Sequence, residues 1–411
     1  MAPDAPTARH WLVLALLLLQ ISLGRQVFTP SIDEIALSLH VPRNASLATA
    51  SASEGLAALA AMGGSLAWGV AADRLGPPTA LHAAAPCASL ALAACALEHW
   101  HARLSLYNAA RALHSFCTGG ALPIAMARAA ELAPPEHRPR AVLFVLVVAA
   151  LSAGAGQLLF TAAADQWPWH LACLYAAGLS LLLQLLACAV QPPARPPSPE
   201  ERADALAGGK HAPTPPRLLW AALAARSNLL LCAQGFAACV AWGATLVAFY
   251  PLLAARLHAR ARGDQAAVFV AWGLCCLAGQ LVAVAAAERG LLHSSGPRTP
   301  RLLAAAALAG NAAMLLFLLW DAPVPAQLAA FLLAAFFGSV PGPVLQAILL
   351  DRTPPALRGA ISGCLQLADS LGYAVGPAVF SLTLPVFGTP ARALAVLSSG
   401  WAIAAAFMAA L

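Results

Sequence analysis

The sequence predicts an all-α membrane protein in which twelve transmembrane helices form two pseudo-symmetric six-helix bundles. Of the 411 residues, 61% are hydrophobic and only 10% are charged, whereas soluble domains carry about 25% charged residues. The apolar residues form long blocks, each close to the roughly 20 residues that a helix needs to cross a bilayer. The two halves of the chain also share segments at a constant spacing. These observations exclude a water-soluble fold.

Twelve apolar blocks alternate with polar breaks, and each block is a predicted span. One break is long and rich in proline and charge, so it cannot bury enough apolar surface to fold and reads as a flexible linker. The chain is therefore divided into an N-terminal half at 1–190, a cytoplasmic linker at 191–217 and a C-terminal half at 218–411. The predicted spans lie near residues 11–37, 47–71, 79–97, 104–127, 141–163, 171–190, 229–253, 266–287, 302–320, 326–350, 360–384 and 391–411.

The basic residues predict the orientation of these spans. With a cytoplasmic N-terminus, 15 of the 23 arginine and lysine residues lie on the inner side, 6 lie on the outer side, and Arg25 and Arg111 lie inside spans. Basic residues accumulate on the cytoplasmic side, so we expect both termini in the cytoplasm and the chain in the cell (inner) membrane. An outer cluster at Arg256, Arg260 and Arg262 runs against this trend. Because the net charge of +6 is spread over many loops, no nucleic-acid partner is expected.

The cysteine and histidine residues predict no metal site and no cofactor. The ten cysteines lie in or beside apolar blocks, and none forms a Cys-x-x-Cys pair. We interpret them as small apolar packing residues. The pair His99 and His101 has no further ligands in its loop.

An internal repeat relates the two halves. Residues 131–138 read ELAPPEHR and residues 351–358 read DRTPPALR, at an offset of 220 residues. The same offset aligns three further pairs of identical residues: Pro123 with Pro343, Gly156 with Gly376, and Phe160 with Phe380. Matches at one register predict a duplicated six-helix unit, and such duplicated halves around a central site are usual in secondary transporters.

The loop after the second span carries a recognisable motif. Residues 69–76 read GVAADRLG and resemble the signature G-x-x-x-D-R-x-G of the major facilitator superfamily, in the loop where that family carries it. Glycine permits tight turns and close helix approach, and an aspartate favours a helix start. Pro77 and Pro78 stand where the family has two basic residues. The predicted conformational loop motif consists of Gly69, Asp73, Arg74 and Gly76.

Three other stretches are similar to motifs of the same family. Arg111 followed by Gly119 and Gly120 resembles its motif around a buried arginine. The WPW of residues 167–169 and the LGYAVGP of residues 371–377 resemble its W-R-W stretch and its late glycine-proline motif. The resemblance implies a transporter rather than an enzyme, nearest the drug:proton antiporter type. Residues 154–157, GAGQ, lack the proline of the antiporter motif.

Charged residues inside predicted spans are the first candidates for function, because charges in a bilayer are costly. Four stand out within the predicted spans: Arg25, Glu54, Arg111 and Asp369. Glu54 and Arg111 lie at similar depth in the second and fourth helices, so an ion pair between them is expected. One interpretation is a fixed pair that pins two helices. The other is a pair whose breaking couples to proton uptake, since a carboxylate that loses its partner in low dielectric takes up a proton.

Arg25 and Asp369 lie in the first and eleventh helices, which line the central cavity in the superfamily fold. Arg25 is a candidate to bind an anionic group and Asp369 a candidate proton carrier or counter-ion; mutual neutralisation is the alternative. Four neutral residues are cavity candidates, although polar residues also join membrane helices: Gln157, Gln234, Trp242 and Gln346. Eight glycines are expected at close, sliding helix contacts: Gly63, Gly64, Gly119, Gly120, Gly154, Gly156, Gly372 and Gly376.

The favoured function is proton-coupled export of a small organic solute by alternating access. We expect a monomer whose partners are the lipid bilayer, the solute and protons. The first alternative is an uptake carrier of an organic anion, with Arg25 and Arg111 as binding cations. The second is a multi-span membrane enzyme or receptor, for which the sequence offers no paired acids, histidine cluster or nucleophile motif.

Overall fold

The computed structural model describes residues 8–28, 31–42, 45–101, 103–133, 138–191, 224–258, 262–292, 296, 298–353 and 358–411. The N-terminal half contains α1 (Ala8–Gly24), α2 (Ile32–Ser38), α3 (Ser46–Leu75), α4 (Pro77–His101), α5 (Leu104–Gly119), α6 (Ala121–Leu132), α7 (Arg138–Gln166) and α8 (Trp169–Val190). The C-terminal half contains α9 (Arg226–Arg256), α10 (Arg262–Glu288), α11 (Thr299–Leu319), α12 (Val324–Ser339), α13 (Pro341–Arg352), α14 (Arg358–Phe387), α15 (Pro390–Leu397) and α16 (Ser399–Ala409).

These helices form the twelve membrane spans of an all-α protein, as predicted. Eleven segments of the described residues are long and apolar enough to cross a membrane. The remaining span, fourth in the chain, is α5 with α6, where the polar side chains of Asn108, Arg111 and His114 lower the hydropathy. Large apolar side chains such as Leu185 and Leu382 are exposed on the helix surfaces, which suits a protein whose outside faces lipid.

Four spans are built from two helices each, and in three of them the break lies at or beside glycine or proline; in the last span the break between α15 and α16 lies at Ser398. The first span was expected to be one helix, but α1 ends at Gly24 and a single 3-10 turn follows at Arg25–Val27 before α2. The reason lies in the sequence, since Gly24 and Pro30 both disfavour a continuous helix. The fourth span breaks at Gly120, and the tenth breaks between Ser339 and Pro341.

The helix boundaries repeat at the spacing of the sequence repeat. Helix α5 begins at Leu104 and α12 at Val324, a separation of 220 residues. The same separation relates the starts of α7 and α14 at Arg138 and Arg358. Equivalent helices therefore begin at equivalent positions in the two bundles. The predicted linker at 191–217 lies outside the described residues except for Gln191, so the division into 1–190, 191–217 and 218–411 stays a prediction.

Close helix contacts depend on glycine at some of the predicted positions and not at others. A Cβ on Gly64 of α3 would overlap the backbone of Phe116, and one on Gly119 of α5 would overlap the backbone of Ala61. Such small residues let helix backbones touch in a membrane. Glycines 120, 156, 372 and 376 are similarly enclosed. Gly154 was expected at such a contact, but its Cβ position is open, and Gly63 meets only ordinary contacts with Phe116. Neither faces a neighbouring backbone, which is why the expectation fails there.

The two halves touch through α3 and α14, and through α7 and α10. In the first contact, a Cβ on Gly55 would lie 3.2 Å from the carbonyl oxygen of Ala374. Gly55 lies ten residues into α3, so this contact falls in the outer part of the membrane in the predicted topology. Two helices from different halves therefore meet closely at a position where any added side chain would press against the neighbouring backbone.

The side chain of Arg256, which the charge pattern predicts on the outer side, caps a neighbouring helix. Its Nε donates to the carbonyl oxygen of Phe317 at 3.1 Å, and its Nη2 donates to that of Trp320. These carbonyl groups lie at the C-terminal end of α11, where backbone acceptors lack intrahelical partners and a positive charge is favourable. Arg256 therefore has a structural role at this helix end, which accounts for one basic residue that runs against the predicted charge trend.

Candidate functional site

Arg111 and Glu54 form a bidentate ion pair inside the N-terminal bundle. Arg111 Nε donates to Glu54 Oε1 at 3.1 Å, and Nη2 donates to Oε2 at 2.9 Å. The arginine side chain is 6% exposed and the glutamate 28%. The remaining terminal nitrogen of Arg111, Nη1, donates to Ser115 Oγ at 2.6 Å. The guanidinium Cζ lies 4.3 Å from the ring centroid of Phe28, in the geometry of a cation–π contact.

Aromatic side chains hold this pair in place. The Phe28 ring contacts Tyr107 and His114, with centroids 6.3 and 5.9 Å apart. His114 Nδ1 lies 3.1 Å from the Ala88 carbonyl oxygen, so this nitrogen carries a hydrogen and donates it. Next to Tyr107, the buried Trp169 donates its indole N–H to Ser38 Oγ at 3.0 Å and ties α8 to α2. Arg111 is thus held by Glu54, by Ser115 and by the ring of Phe28, which is itself packed against Tyr107 and His114.

Arg25 lies in the 3-10 turn at the break in the first span. Its side chain is exposed although the turn lies within a membrane span, so it faces a space that water can enter. It is within electrostatic range of Arg111, Glu54 and Tyr373. No described carboxylate pairs with its guanidinium, so neutralisation by Asp369 does not occur in this structure. Arg25 is a cation that remains available on the N-terminal side.

Asp369 lies in α14 at the edge of a cavity of about 170 Å³ in the C-terminal bundle. Its Oδ1 atom is buried and has no hydrogen-bond partner among the described residues. The thiol of Cys239 lies within hydrogen-bonding reach of the carboxyl group. Tyr373, one turn further along α14, also lines the cavity and is within electrostatic range of both Asp369 and Arg25.

The carboxyl group fits against α9 because residue 235 is glycine. A Cβ at Gly235 would overlap Asp369 Oδ1 and would lie 3.3 Å from its Cγ. No other residue type leaves this space, since every other side chain begins with a Cβ. The sequence at Gly235 thus determines where the only carboxyl group among the cavity-lining residues lies.

The predicted site residues fall into two groups. Gln234, Trp242 and Gln346 line the same cavity as Asp369, whereas Glu54 and Arg111 form a separate cluster in the other bundle. Gln157 is not among the residues that line this cavity. It is fully buried in α7 and donates to Thr161 Oγ1 at 3.2 Å, because its position on α7 faces the bundle interior.

The loop motif shows a turn but no close contact at its first residue. Gly76 has a φ of +85° and its N–H donates to the Ala72 carbonyl oxygen at 2.9 Å, which ends α3. The left-handed conformation suits glycine. Gly69 meets nothing within 4 Å of its Cβ position, so close helix approach there is not found. The side chains of Asp73 and Arg74 are outside what the structure describes.

Most residues that line the cavity were not predicted from the sequence, among them Gly235, Cys239, Tyr373 and Trp401. Two of them carried a usable signal. Tyr373 lies in the LGYAVGP motif one turn after Asp369, and Gly235 follows the cavity candidate Gln234. Trp401 comes from the last span and Cys239 reads as a packing residue, so only the tertiary structure brings them to the cavity.

The sequence matches the profile of the Major Facilitator Superfamily over residues 14–377. This is most of the chain, and the protein therefore belongs to that family of membrane transporters. It is a multi-pass membrane protein that moves a small molecule across the bilayer. No curated protein sequence matches the chain.

Several solved transporter structures share the fold at low sequence identity. A D-xylose-proton symporter superposes with a TM-score of 0.73 at 16% identity, covering 97% of this chain and 96% of the symporter. The human organic anion transporter MFSD10 (TETRAN) superposes with a TM-score of 0.68 at 20% identity, covering 98% of this chain and 100% of that protein. A bacterial homolog of the human lysosomal transporter Spinster, in an inward-facing and occupied conformation, gives 0.68 at 15% identity, with 97% and 92% covered. These likenesses establish the fold.

Proposed function

We propose that this transporter exports a small organic solute in exchange for protons, with Asp369 as the proton carrier. The observation that carries the proposal is the carboxyl group of Asp369, which lines the cavity and whose buried Oδ1 atom, packed against Gly235, has no described hydrogen-bond partner. A buried carboxylate without a counter-charge is unfavourable in a low dielectric, so proton uptake from the cavity satisfies it. Glu54 is the weaker carrier because Arg111 already neutralises it.

The groups that face Asp369 support a proton site. Helix α9 contributes the thiols of Cys232 and Cys239. Helix α14, which carries Asp369, contributes the phenol of Tyr373. Tyr373 is also within electrostatic range of Arg25 in the N-terminal half. None of these is a cation in direct contact with the carboxyl group. The charge of Asp369 is therefore open to control by a proton or by a bound ligand.

The contact between the halves supports alternating access. Gly55 packs against Ala374, five residues along α14 from Asp369. A rocking motion that opens this contact also moves the helix that carries the carboxyl group, so proton binding and the conformational change are mechanically linked. Rocking of two repeats around a midplane site is the usual mode of such transporters.

The test uses proteoliposomes and three labelled probes that do not cross bilayers unaided: D-xylose, the anion para-aminohippurate and the cation phenyltrimethylammonium. An acidic lumen drives uptake by an antiporter, whereas an alkaline lumen drives uptake by a symporter. We expect acid-driven accumulation of at least one probe by the wild-type protein. Accumulation that needs an alkaline lumen, or no pH-driven movement of any probe, contradicts the proposal.

Asp369→Asn tests the role of the carboxyl group, and Asp264→Asn is its control. Both remove one carboxylate, but Asp264 is exposed at the start of α10. We expect Asp369→Asn to lose acid-driven accumulation and to retain exchange of the probe in the absence of a pH gradient. The control is expected to behave as the wild type. Unchanged accumulation by Asp369→Asn excludes it as the proton carrier.

A second candidate function is uptake of an organic anion, which the available guanidinium of Arg25 favours. Arg111 no longer supports this candidate, because its guanidinium is occupied by Glu54 and Ser115. Uptake of para-aminohippurate by the wild type, abolished in Arg25→Gln, supports this alternative. Uptake that survives Arg25→Gln unchanged excludes it.

The orientation, membrane and oligomeric state are also proposed. The excess of basic residues on one side supports cytoplasmic termini in the cell (inner) membrane, and each bundle has its own buried core, which supports a monomer. Protease or thiol-reagent access to each terminus in intact cells tests the orientation. Digestion of a C-terminal tag from outside the cell contradicts it.

A further inference from the structure

The cavity in the C-terminal bundle combines one carboxyl group with aromatic and carboxamide walls. Among the described residues that line it, none is lysine, arginine or histidine. Its polar and aromatic lining includes Asp369, Gln234, Gln346, Trp242, Tyr373 and Trp401. A ligand in this cavity therefore meets one negative charge and no positive charge from the surrounding side chains.

The charge balance points to a cationic ligand. The carboxyl group of Asp369 lines the cavity and has no cationic partner among the described residues, and a donor that also carries positive charge both hydrogen-bonds to it and neutralises it. An organic anion would instead place two negative charges together in a low dielectric, which is strongly unfavourable. A neutral ligand would leave the carboxylate uncompensated.

The walls favour an organic cation over a metal ion. The rings of Trp242 and Trp401 have centroids 5.3 Å apart at 63°, and they form an angled aromatic surface. Aromatic rings attract organic cations and pack against apolar groups. Hard metal ions need about six oxygen ligands, whereas this lining offers the Asp369 carboxyl group and two carboxamides.

The size of the cavity limits the ligand. Its volume of about 170 Å³ is below the roughly 300–1,000 Å³ of sites for drug-sized molecules. The cavity is lined by residues of α9, α11, α12, α13, α14 and α16, and α9 and α14 touch through their backbones at Gly372 and Gly376. Expansion between α9 and α14 would have to separate these touching backbones, so a small ligand is indicated.

We infer that this cavity binds a small primary amine in its protonated form. The ammonium group donates to Asp369 and to the carboxamide oxygens of Gln234 and Gln346, and the apolar part lies against Trp242 and Trp401. The inference rests on the proposed function and deepens it. Because amine and proton need the same carboxyl group, binding of one displaces the other, and this competition is what an antiporter requires.

The experiment measures binding of three probes of similar shape to the purified full-length protein by isothermal titration calorimetry. The probes are 2-phenylethylammonium, neutral 2-phenylethanol and anionic phenylacetate. We expect the ammonium probe to bind the wild type and the other two to bind at least tenfold more weakly. Equal binding of the alcohol, or absence of ammonium binding, overturns the inference.

Two variants locate the site. We expect Asp369→Asn to bind 2-phenylethylammonium at least tenfold more weakly, and the matched change Asp264→Asn to leave its affinity unchanged. Trp242→Leu is expected to weaken binding severalfold while the protein keeps its melting temperature within a few degrees. If Asp369→Asn is folded and binds 2-phenylethylammonium with wild-type affinity, the ligand lies elsewhere and the inference is overturned.

Failure of this inference is distinguishable from failure of the proposed function. If the ammonium probe does not bind while acid-driven accumulation of another probe depends on Asp369, proton-coupled export stands and the amine is excluded. If the ammonium probe binds through Asp369 while a pH gradient moves no probe, the amine site stands and export fails.

Discussion

Gly235 of α9 lies directly against the carboxyl group of Asp369 in α14, so that a Cβ at position 235 would occupy the place of Oδ1. The carboxyl group of Asp369 therefore fills the space that a side chain at position 235 would otherwise need. The position of the carboxyl group in its cavity depends on this glycine as much as on the aspartate itself.

Gly235→Ala is the first prediction. The methyl group displaces the carboxyl group from α9, and misplacement of a functional group by about 1 Å reduces activity on the order of 10–100-fold. We expect such a loss in acid-driven transport and in binding of 2-phenylethylammonium. Gly273→Ala in α10 is the control, because its Cβ position is open. Wild-type transport by Gly235→Ala would show that the site tolerates another carboxyl position.

The ion pair of Glu54 and Arg111 gives the second prediction. Glu54→Gln leaves a buried guanidinium without its counter-charge, which costs about 3–5 kcal/mol. The free energy of unfolding in detergent mixtures measures this loss. The double variant Glu54→Leu with Arg111→Met is expected to recover most of the stability, because it removes both charges.

Transport by the same double variant separates the two interpretations of the pair. A stable double variant that transports normally identifies a structural pin between α3 and α5. A stable double variant that fails to transport identifies a part of the coupling mechanism. Asp321→Asn, at an exposed carboxylate, controls for the loss of a charge. A Glu54→Gln variant as stable as the wild type contradicts the prediction.

Gly55→Leu is the third prediction, and it concerns the contact between the halves. A leucine side chain would overlap the Ala374 carbonyl group, because even a Cβ comes within 3.2 Å of that oxygen. The variant is therefore expected to disfavour the closed contact and to slow turnover at least tenfold. Ligand binding, measured by thermal shift with 2-phenylethylammonium, is expected to persist. Gly178→Leu in α8 is the control, since Gly178 has open space around it; equal turnover in both variants refutes the role of the contact.

Arg256→Ala is the fourth prediction. Loss of the two hydrogen bonds to the end of α11 is expected to cost about 1–2 kcal/mol and to lower the melting temperature by a few degrees. The side chain is only partly buried, which keeps the cost modest. Arg392→Ala, at an exposed outer arginine, is expected to have no such effect. An equal decrease in melting temperature in both variants would show that the loss of a positive charge, and not the loss of helix capping, lowers the stability.

The internal repeat shows which parts of the fold can be predicted from the sequence. Hydrophobic blocks predict the spans because the bilayer requires helices of a certain length, and the 220-residue offset reappears in the starts of α5 and α12. The break after Gly24 was less predictable. The low helix propensity of glycine allows a break there. Whether the helix continues through Gly24 or ends depends on contacts with the neighbouring helices.

For the site, the sequence determined which charges lie in the membrane, since no bilayer-spanning segment carries a charge cheaply. It indicated Glu54 with Arg111, and it placed Asp369 among the candidates. Only the tertiary structure decided that Arg25 and Asp369 stay apart, that Gln157 is buried in α7, and that Trp401 reaches the cavity. The physical reason is that a hydrophobic pattern fixes the depth of a residue along its helix. Rotation of the helix and the choice of neighbours come from packing between backbones, as at Gly235, and no local pattern encodes that.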